Sequence, residues 1–101
     1  MNSAAPVAID SKRGVIIPTY NSGRLLEETV RQVIANWRPV IVVVDGSTDG
    51  SDDPVVALAG SEPGLHVLVS DKNEGKGAAV ASGMRFAADA GLTHAAVFDA
   101  D

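Results

Sequence analysis

Apolar residues in this chain occur in two alternating kinds of run, and that alternation predicts the fold. Val15, Ile16 and Ile17 make a short β-branched block closed by Pro18, as in a strand buried on both faces. After Ser22 and Gly23 the spacing changes: Leu25, Leu26, Val30, Val33, Ile34 and Trp37 share one helical stripe, with Arg24, Glu27, Glu28 and Arg31 opposite, until Pro39 ends the pattern. Val40, Ile41, Val42, Val43 and Val44 form the strongest strand signal, broken at once by the turn-forming residues 45–50. A short helix is expected from about Asp53 to Ala59, with Ser51 or Asp52 as N-cap and Pro54 in its first turn. Leu65 to Val69 reads as a third strand and residues 70–77 as a polar, glycine-punctuated loop. Ala78 to Ala90 reads as an alanine-rich helix with Val80, Met84 and Ala87 on a narrow face and Gly91 as its C-cap. Ala95 to Phe98 is the fourth strand, and residues 1–13, which show no period, read as a flexible N-terminal arm.

The order β-α-β-α-β-α-β predicts an α/β fold: a Rossmann-like, mostly parallel four-stranded sheet with helices on both faces. Small Ala and Gly side chains in the third helix would let it lie close on the sheet. Parallel strands send every loop that leaves a carboxyl end to the same rim. Four unusual segments fall there, at 18–21, 45–49, 71–77 and 99–101, whereas the opposite rim receives ordinary turns. Open α/β sheets bind ligands outside the carboxyl ends of their strands, so the candidate chemistry sits where this architecture uses it.

Composition narrows the choice. A chain of 101 residues bounds one domain and can bury a modest core without metal or disulfide staples. Eight basic against 13 acidic residues, a net charge of −5, argue against nucleic-acid binding, which needs clustered Lys and Arg. With no cysteine there is neither a disulfide framework nor a thiolate metal site. No apolar run approaches a membrane span, and residues 1–9 lack the pattern of a signal peptide, so a soluble cytoplasmic protein is expected.

Some motifs fail on inspection. A phosphate loop needs Gly six residues before its Lys and Ser or Thr after it, but around Lys76 those places hold Ser70 and Gly77. The dinucleotide fingerprint that Gly75 and Gly77 would open has Val80 at its third glycine place. Asp45, Ser47, Asp49 and Gly50 start like a calcium loop, yet its twelfth position is Val56 where a bidentate Glu is required.

Taken in order, the four rim segments resemble the family 2 glycosyltransferases of the GT-A fold, inverting enzymes that use nucleotide-diphosphate sugars. Residues 15–21 resemble the opening strand and loop, 42–49 the second-strand motif, 73–77 the third-strand loop and 98–101 the D-x-D site. The resemblance spans 14–101 and implies the nucleotide-sugar-binding part of a GT-A domain, truncated at the D-x-D motif. It implies that Pro18, Thr19, Tyr20 and Asn21 line a base and ribose pocket, that Asp45 accepts a hydrogen bond from a uracil or guanine ring N–H, and that Lys76 meets base or phosphate. Asp99 then contacts the nucleotide sugar and, with Asp101, holds Mg²⁺ or Mn²⁺, hard cations suited to carboxylate oxygens and diphosphate. In isolation the same residues have plainer readings: Asx-turns for Asp45 and Asp49, a solvated loop charge for Lys76, rim packing for Tyr20 and a polar terminus for Asp99 and Asp101. One departure stands out, since the family commonly carries an acid where this chain has Val44.

The implied partner is a UDP- or GDP-linked sugar. The segment 93–101 resembles the branch that glycosylates polyprenyl phosphates at the cytosolic membrane face, which implies a polyprenyl phosphate acceptor and membrane association of a full-length protein. The catalytic base is expected beyond Asp101, leaving the chain inactive by itself, and the apolar fourth strand is expected as an edge open to self-association. Two rival expectations stand: a non-catalytic α/β binding or interaction module, and a sugar-nucleotide nucleotidyltransferase. The latter would carry a glycine-rich loop with Arg after the first strand, which residues 18–21 do not supply.

Overall fold

Central strands of a two-sided sheet need apolar side chains on both faces, and residues 14–19 and 40–45 supply them: every one is buried. In the computed structural model, which describes residues 13–100, the elements follow in the expected order. They are β1 (Arg13–Thr19), α1 (Arg24–Ile34), β2 (Val40–Asp45), α2 (Asp53–Ala59), β3 (Leu65–Ser70), α3 (Lys76–Asp89) and β4 (His94–Val97). The sheet runs β3-β2-β1-β4 and every pairing is parallel. Residues 1–12 and Asp101 lie outside the described residues, so the N-terminal arm, save for Arg13, and the second acid of the D-x-D pair do too. Arg13 itself opens β1.

Strand periodicity sorts the core into two layers. Val15, Ile17, Val40, Val42 and Val44 pack with Leu26, Val30, Val33 and Ile34 of α1 and Val55 of α2. Ile16, Ile41 and Val43 point the other way, onto Ala79 and Ala87 of α3. The close approach of α3 depends on Gly83, where an added Cβ would lie 2.7 Å from Ile16 Cγ2 and 3.2 Å from Val43 Cγ2. The buried face of α3 is therefore Ala79, Gly83 and Ala87 at a spacing of four, and Met84, expected on it, is exposed. Leu25 and Trp37 likewise fall outside the α1 core stripe. The helix stops at Ile34, and Trp37 is 57% exposed.

Pro18 does not end β1. The strand continues to Thr19, with Pro18 beside Val43. Backbone parity explains this: Val15 N donates to Pro39 O, whereas Ile16 O accepts from Phe98 N at 2.9 Å, so even-numbered residues of β1 present their polar groups to β4. The missing N–H of Pro18 thus faces the β4 side, where the pairing stops after Ile16 and Val97. The chain after Val97 consequently leaves the sheet beside the ends of β1 and β2.

Candidate functional site

The carboxyl ends of β1 and β2, the start of α3 and the segment after β4 enclose a cavity of about 360 Å³. Its lining includes Pro18, Thr19, Tyr20, Asp45, Lys76 and Asp99, six of the seven residues expected to contact a nucleotide sugar, together with Asn73, Gly75 and Ala79. Two-residue periodicity puts Asp45 on the α3 side of the sheet, with Ile41 and Val43. Val44, where the family commonly carries an acid, points to the opposite face and is 1% exposed among the α1-side core residues. A carboxylate there would face away from the cavity.

Asp45 is 5% exposed, and its two carboxylate oxygens accept from Glu74 N and Gly75 N, each at 2.9 Å. Its carbonyl accepts from Asn73 Nδ2 at 3.3 Å. One residue on, Gly46 has φ +73° and donates to Ser70 O at 2.9 Å, extending the β2–β3 ladder into the loop. Together these bonds fix residues 73–75 and hence the first turn of α3. Gly75, with φ +100°, redirects the chain so that Lys76 begins the helix two residues earlier than expected. The unpaired amides of that first turn and the helix dipole favour an anion at this end. Lys76 Nζ meets Asp99 Oδ2 at 2.6 Å across the cavity, with both side chains more than half exposed.

Asn21 serves the neighbouring loop and does not line the cavity. At φ +49° its Oδ1 accepts from Thr48 N at 2.7 Å and Asp49 N at 3.2 Å, while its own N–H donates to Ser47 Oγ at 3.0 Å. Asp49 closes the same clasp by accepting from Gly23 N at 3.1 Å and Ser51 N at 3.0 Å. Thr19 and Ser22 hydroxyls, 2.6 Å apart, tie the end of β1 to the entry of α1. Asn73, Gly75 and Ala79 were not among the expected contact residues. The glycine-flanked motif around Lys76 signals the first two, and the small residue one turn after Gly75 signals the third.

The Ser51 hydroxyl, followed by the Ser51 and Gly23 amides, holds the Asp49 carboxyl below its ordinary value of 3.8. That hydroxyl is buried and makes no hydrogen bond of good geometry among the described residues, so the Ser51 amide is the firmer link. A depressed folded-state pKa means that the clasp contributes fully above the unfolded value and is lost as pH falls through the lowered folded value. Amide exchange at Gly23 and Ser51 is therefore expected to stay slow down to pH 3.8 and to accelerate, relative to core amides, only as pH falls below it through the lowered folded value. Exchange there that keeps pace with the core would contradict this.

A second groove of about 310 Å³ runs along β4, lined by Arg13, Gly14, Val15, Trp37, His94, Ala95, Ala96 and Phe98. Among the described residues it is lined by no carboxylate, and its walls are mainly apolar. Among the described residues no helix is long and apolar enough to cross a membrane, and no group of three or more His, Cys, Asp or Glu is placed to hold a metal ion. Two carboxylates line the cavity: Asp45 accepts from loop amides, and Asp99 already holds a cation, the Lys76 ammonium. A carboxylate of this kind fits Mg²⁺ or Mn²⁺, which bind through one or two protein carboxylates when substrate phosphates and water complete the shell.

Comparisons with known proteins agree with this architecture. Over 93 residues the chain is 36% identical to the uncharacterized glycosyltransferase alr2836 of Nostoc sp., covering 89% of this chain and 28% of that protein. It is 35% identical over 88 residues to the undecaprenyl-phosphate mannosyltransferase of Micrococcus luteus, covering 85% of this chain and 36% of the relative. Among solved structures, the mannosyltransferase PcManGT of Pyrobaculum calidifontis, in complex with GDP-Man and Mn²⁺, superposes with a TM-score of 0.66 at 29% identity, over 74% of this chain and 24% of that one. The chain thus spans about a quarter to a third of these proteins. The sequence model of Glycosyl transferase family 2 matches residues 14–101, and with the parallel sheet and its rim of four motifs this establishes the chain as a member of that family.

Proposed function

We propose that these residues form the donor-binding part of an inverting glycosyltransferase, which takes a GDP- or UDP-linked sugar in the cavity between β1, β2 and α3. The observation that carries this reading is the chemistry brought together at the cavity. The half-exposed Tyr20 ring, the buried Asp45 carboxylate, the Lys76–Asp99 pair and the amino end of α3, whose N-cap amide donates to Asp45, all gather on this one cavity. A base stacks on an aromatic face, a carboxylate accepts from its ring N–H, and a helix amino end with a lysine suits a diphosphate. The volume falls within the range of small-molecule sites.

Asp45 keeps lone pairs free after accepting from the two loop amides, so it can accept a further bond from a base. Lys76 and the first-turn amides of α3 would balance the charge that grows on the diphosphate as it leaves. Asp99, with Asp101, would hold Mg²⁺ or Mn²⁺, which when bound supplies positive charge against the diphosphate oxygens. In a protein of the relatives' length, an acceptor hydroxyl or phosphate would attack the anomeric carbon from the face opposite the leaving group. The names of the Micrococcus relative and the mannosyltransferase complex favour GDP-mannose as donor and a polyprenyl phosphate as acceptor.

Calorimetric titration with GDP- and UDP-linked sugars, with and without Mn²⁺, tests the reading. Binding is expected to need the cation, and Asp99→Ala is expected to weaken it at least about tenfold, or ~1.4 kcal/mol. No heat from either nucleotide with a folded sample would contradict donor binding, and unchanged cation-dependent affinity in Asp99→Ala would contradict the metal assignment.

A further inference from the structure

We propose that Lys76 is a resident counter-ion of Asp99 that a divalent cation must displace, so that this lysine opposes binding of the bare cation while favouring a diphosphate. The second half rests on the donor reading above. The first rests on the assignment of the cation to Asp99 made above and on the geometry of the ion pair.

Lys76 Nζ and Asp99 Oδ2 approach to 2.6 Å from two separate elements, the first residue of α3 and the second residue after β4. The carboxylate that would receive a metal is therefore already occupied by positive charge. Asp99 has a second oxygen and free lone pairs, but an ammonium and a divalent cation on one carboxylate repel each other at that separation, so the cation, with twice the charge, displaces the ammonium and opens the pair.

Opening it is easy. Side-chain exposures of 60% and 54% place this ion pair among those that contribute little, so the penalty on cation binding amounts to no more than about fivefold. Lysine is a compact charge on a flexible four-carbon stem, well suited to leave one anion for another. The surroundings leave it room: a Cβ added at Gly75 or at Gly77 would meet nothing within 4 Å. Released from Asp99, the ammonium stays in the cavity at the amino end of α3, where a diphosphate would lie. Metal and diphosphate would then enter by exchange: the cation takes Asp99, and Lys76 takes a phosphate oxygen.

The test is a sign difference. Mn²⁺ alone, titrated against the 101-residue chain and followed by the paramagnetic resonance of free Mn²⁺, is expected to bind Lys76→Met about two- to fivefold more tightly than the unaltered chain. Lys76→Arg, which keeps the charge, is expected to stay near the unaltered chain, and circular dichroism checks that both variants are folded. With Mn²⁺ saturating, Lys76→Met is expected to bind GDP or UDP at least about fivefold more weakly. Mn²⁺ affinity that is equal or lower in Lys76→Met overturns the exchange, as does a lack of Mn²⁺ binding by every form. Tighter Mn²⁺ binding in Lys76→Met with no nucleotide bound by any form supports the exchange and overturns the donor reading.

Discussion

Alanine at Gly46 is expected to destabilise the chain by about 2–4 kcal/mol, the sum of a left-handed conformation forced on a residue with a Cβ and of a backbone collision. Gly46 sits at φ +73°, and its new Cβ would lie 2.6 Å from the carbonyl carbon of Lys72 and closer still to the amide of Asn73. Neither neighbour is a side-chain tip that can rotate away. Nor can Gly46 retreat without losing its bond to Ser70 O, which carries the β2–β3 ladder into the loop. The displaced backbone leads directly to Glu74 and Gly75, whose amides bind Asp45. Urea denaturation should show a lower midpoint with little change in slope, and nucleotide affinity should fall with it. A stability loss below about 0.5 kcal/mol, the usual range for an innocuous surface change, would show that the close packing of these two loops is not needed.

Removing the Asp45 carboxylate is expected to have the other large effect. In Asp45→Ala two consecutive backbone amides, Glu74 N and Gly75 N, lose their side-chain acceptor at 2.9 Å in a partly buried place. Stranding a donor costs about 1–3 kcal/mol, so a total loss of roughly 2–6 kcal/mol is expected for the two, together with a drop in donor affinity of at least about tenfold. Asp45→Asn retains the volume and one acceptor oxygen, while its NH₂ group opposes one of the two amides. It is expected to fall between the unaltered chain and Asp45→Ala in stability. Hydrogen exchange at Glu74 and Gly75 should rise in the same order. Unaltered exchange in Asp45→Ala would mean that residues 73–75 hold their shape without Asp45.

Much of this architecture is legible in the residues because each strand and helix states its period without competition. Val40 to Val44 can only be a strand buried on both faces, and the small residues of 76–89 announce a helix that lies close on its sheet. Strand order and the gathering of six site residues around one cavity then follow from parallel pairing, which sends every carboxyl-end loop to one rim. Four features escape that reading for physical reasons. Pro18 looks like a strand terminator, yet its missing donor faces the side where no partner strand continues, a fact set by the position of β4 and not by local sequence. Asn21 is a loop polar residue like any other until the fold brings residues 47–49 to its side chain, where its amide organises that loop. Asp45 shows as a candidate base acceptor, but its bonds to amides 29 and 30 residues away are invisible to any local pattern. Leu25 and Trp37 fit the helical stripe by spacing, but Leu25 lies one residue, about 100° of helix, from the fully buried Leu26, and Trp37 lies past the end of α1 at Ile34.

The claim that the cavity between β1, β2 and α3 takes a metal-bound nucleotide sugar is tested most directly by the paramagnetic effect of Mn²⁺. An ¹⁵N-labelled sample with GDP-mannose and substoichiometric Mn²⁺ should lose amide signals first at Lys76 and Asp99, then at Gly75, Tyr20 and Asp45, the residues around the cavity. UDP-glucose run in parallel distinguishes the base. Broadening centred instead on Trp37 and His94, in the apolar groove along β4, or spread evenly over the surface acids, would contradict the account.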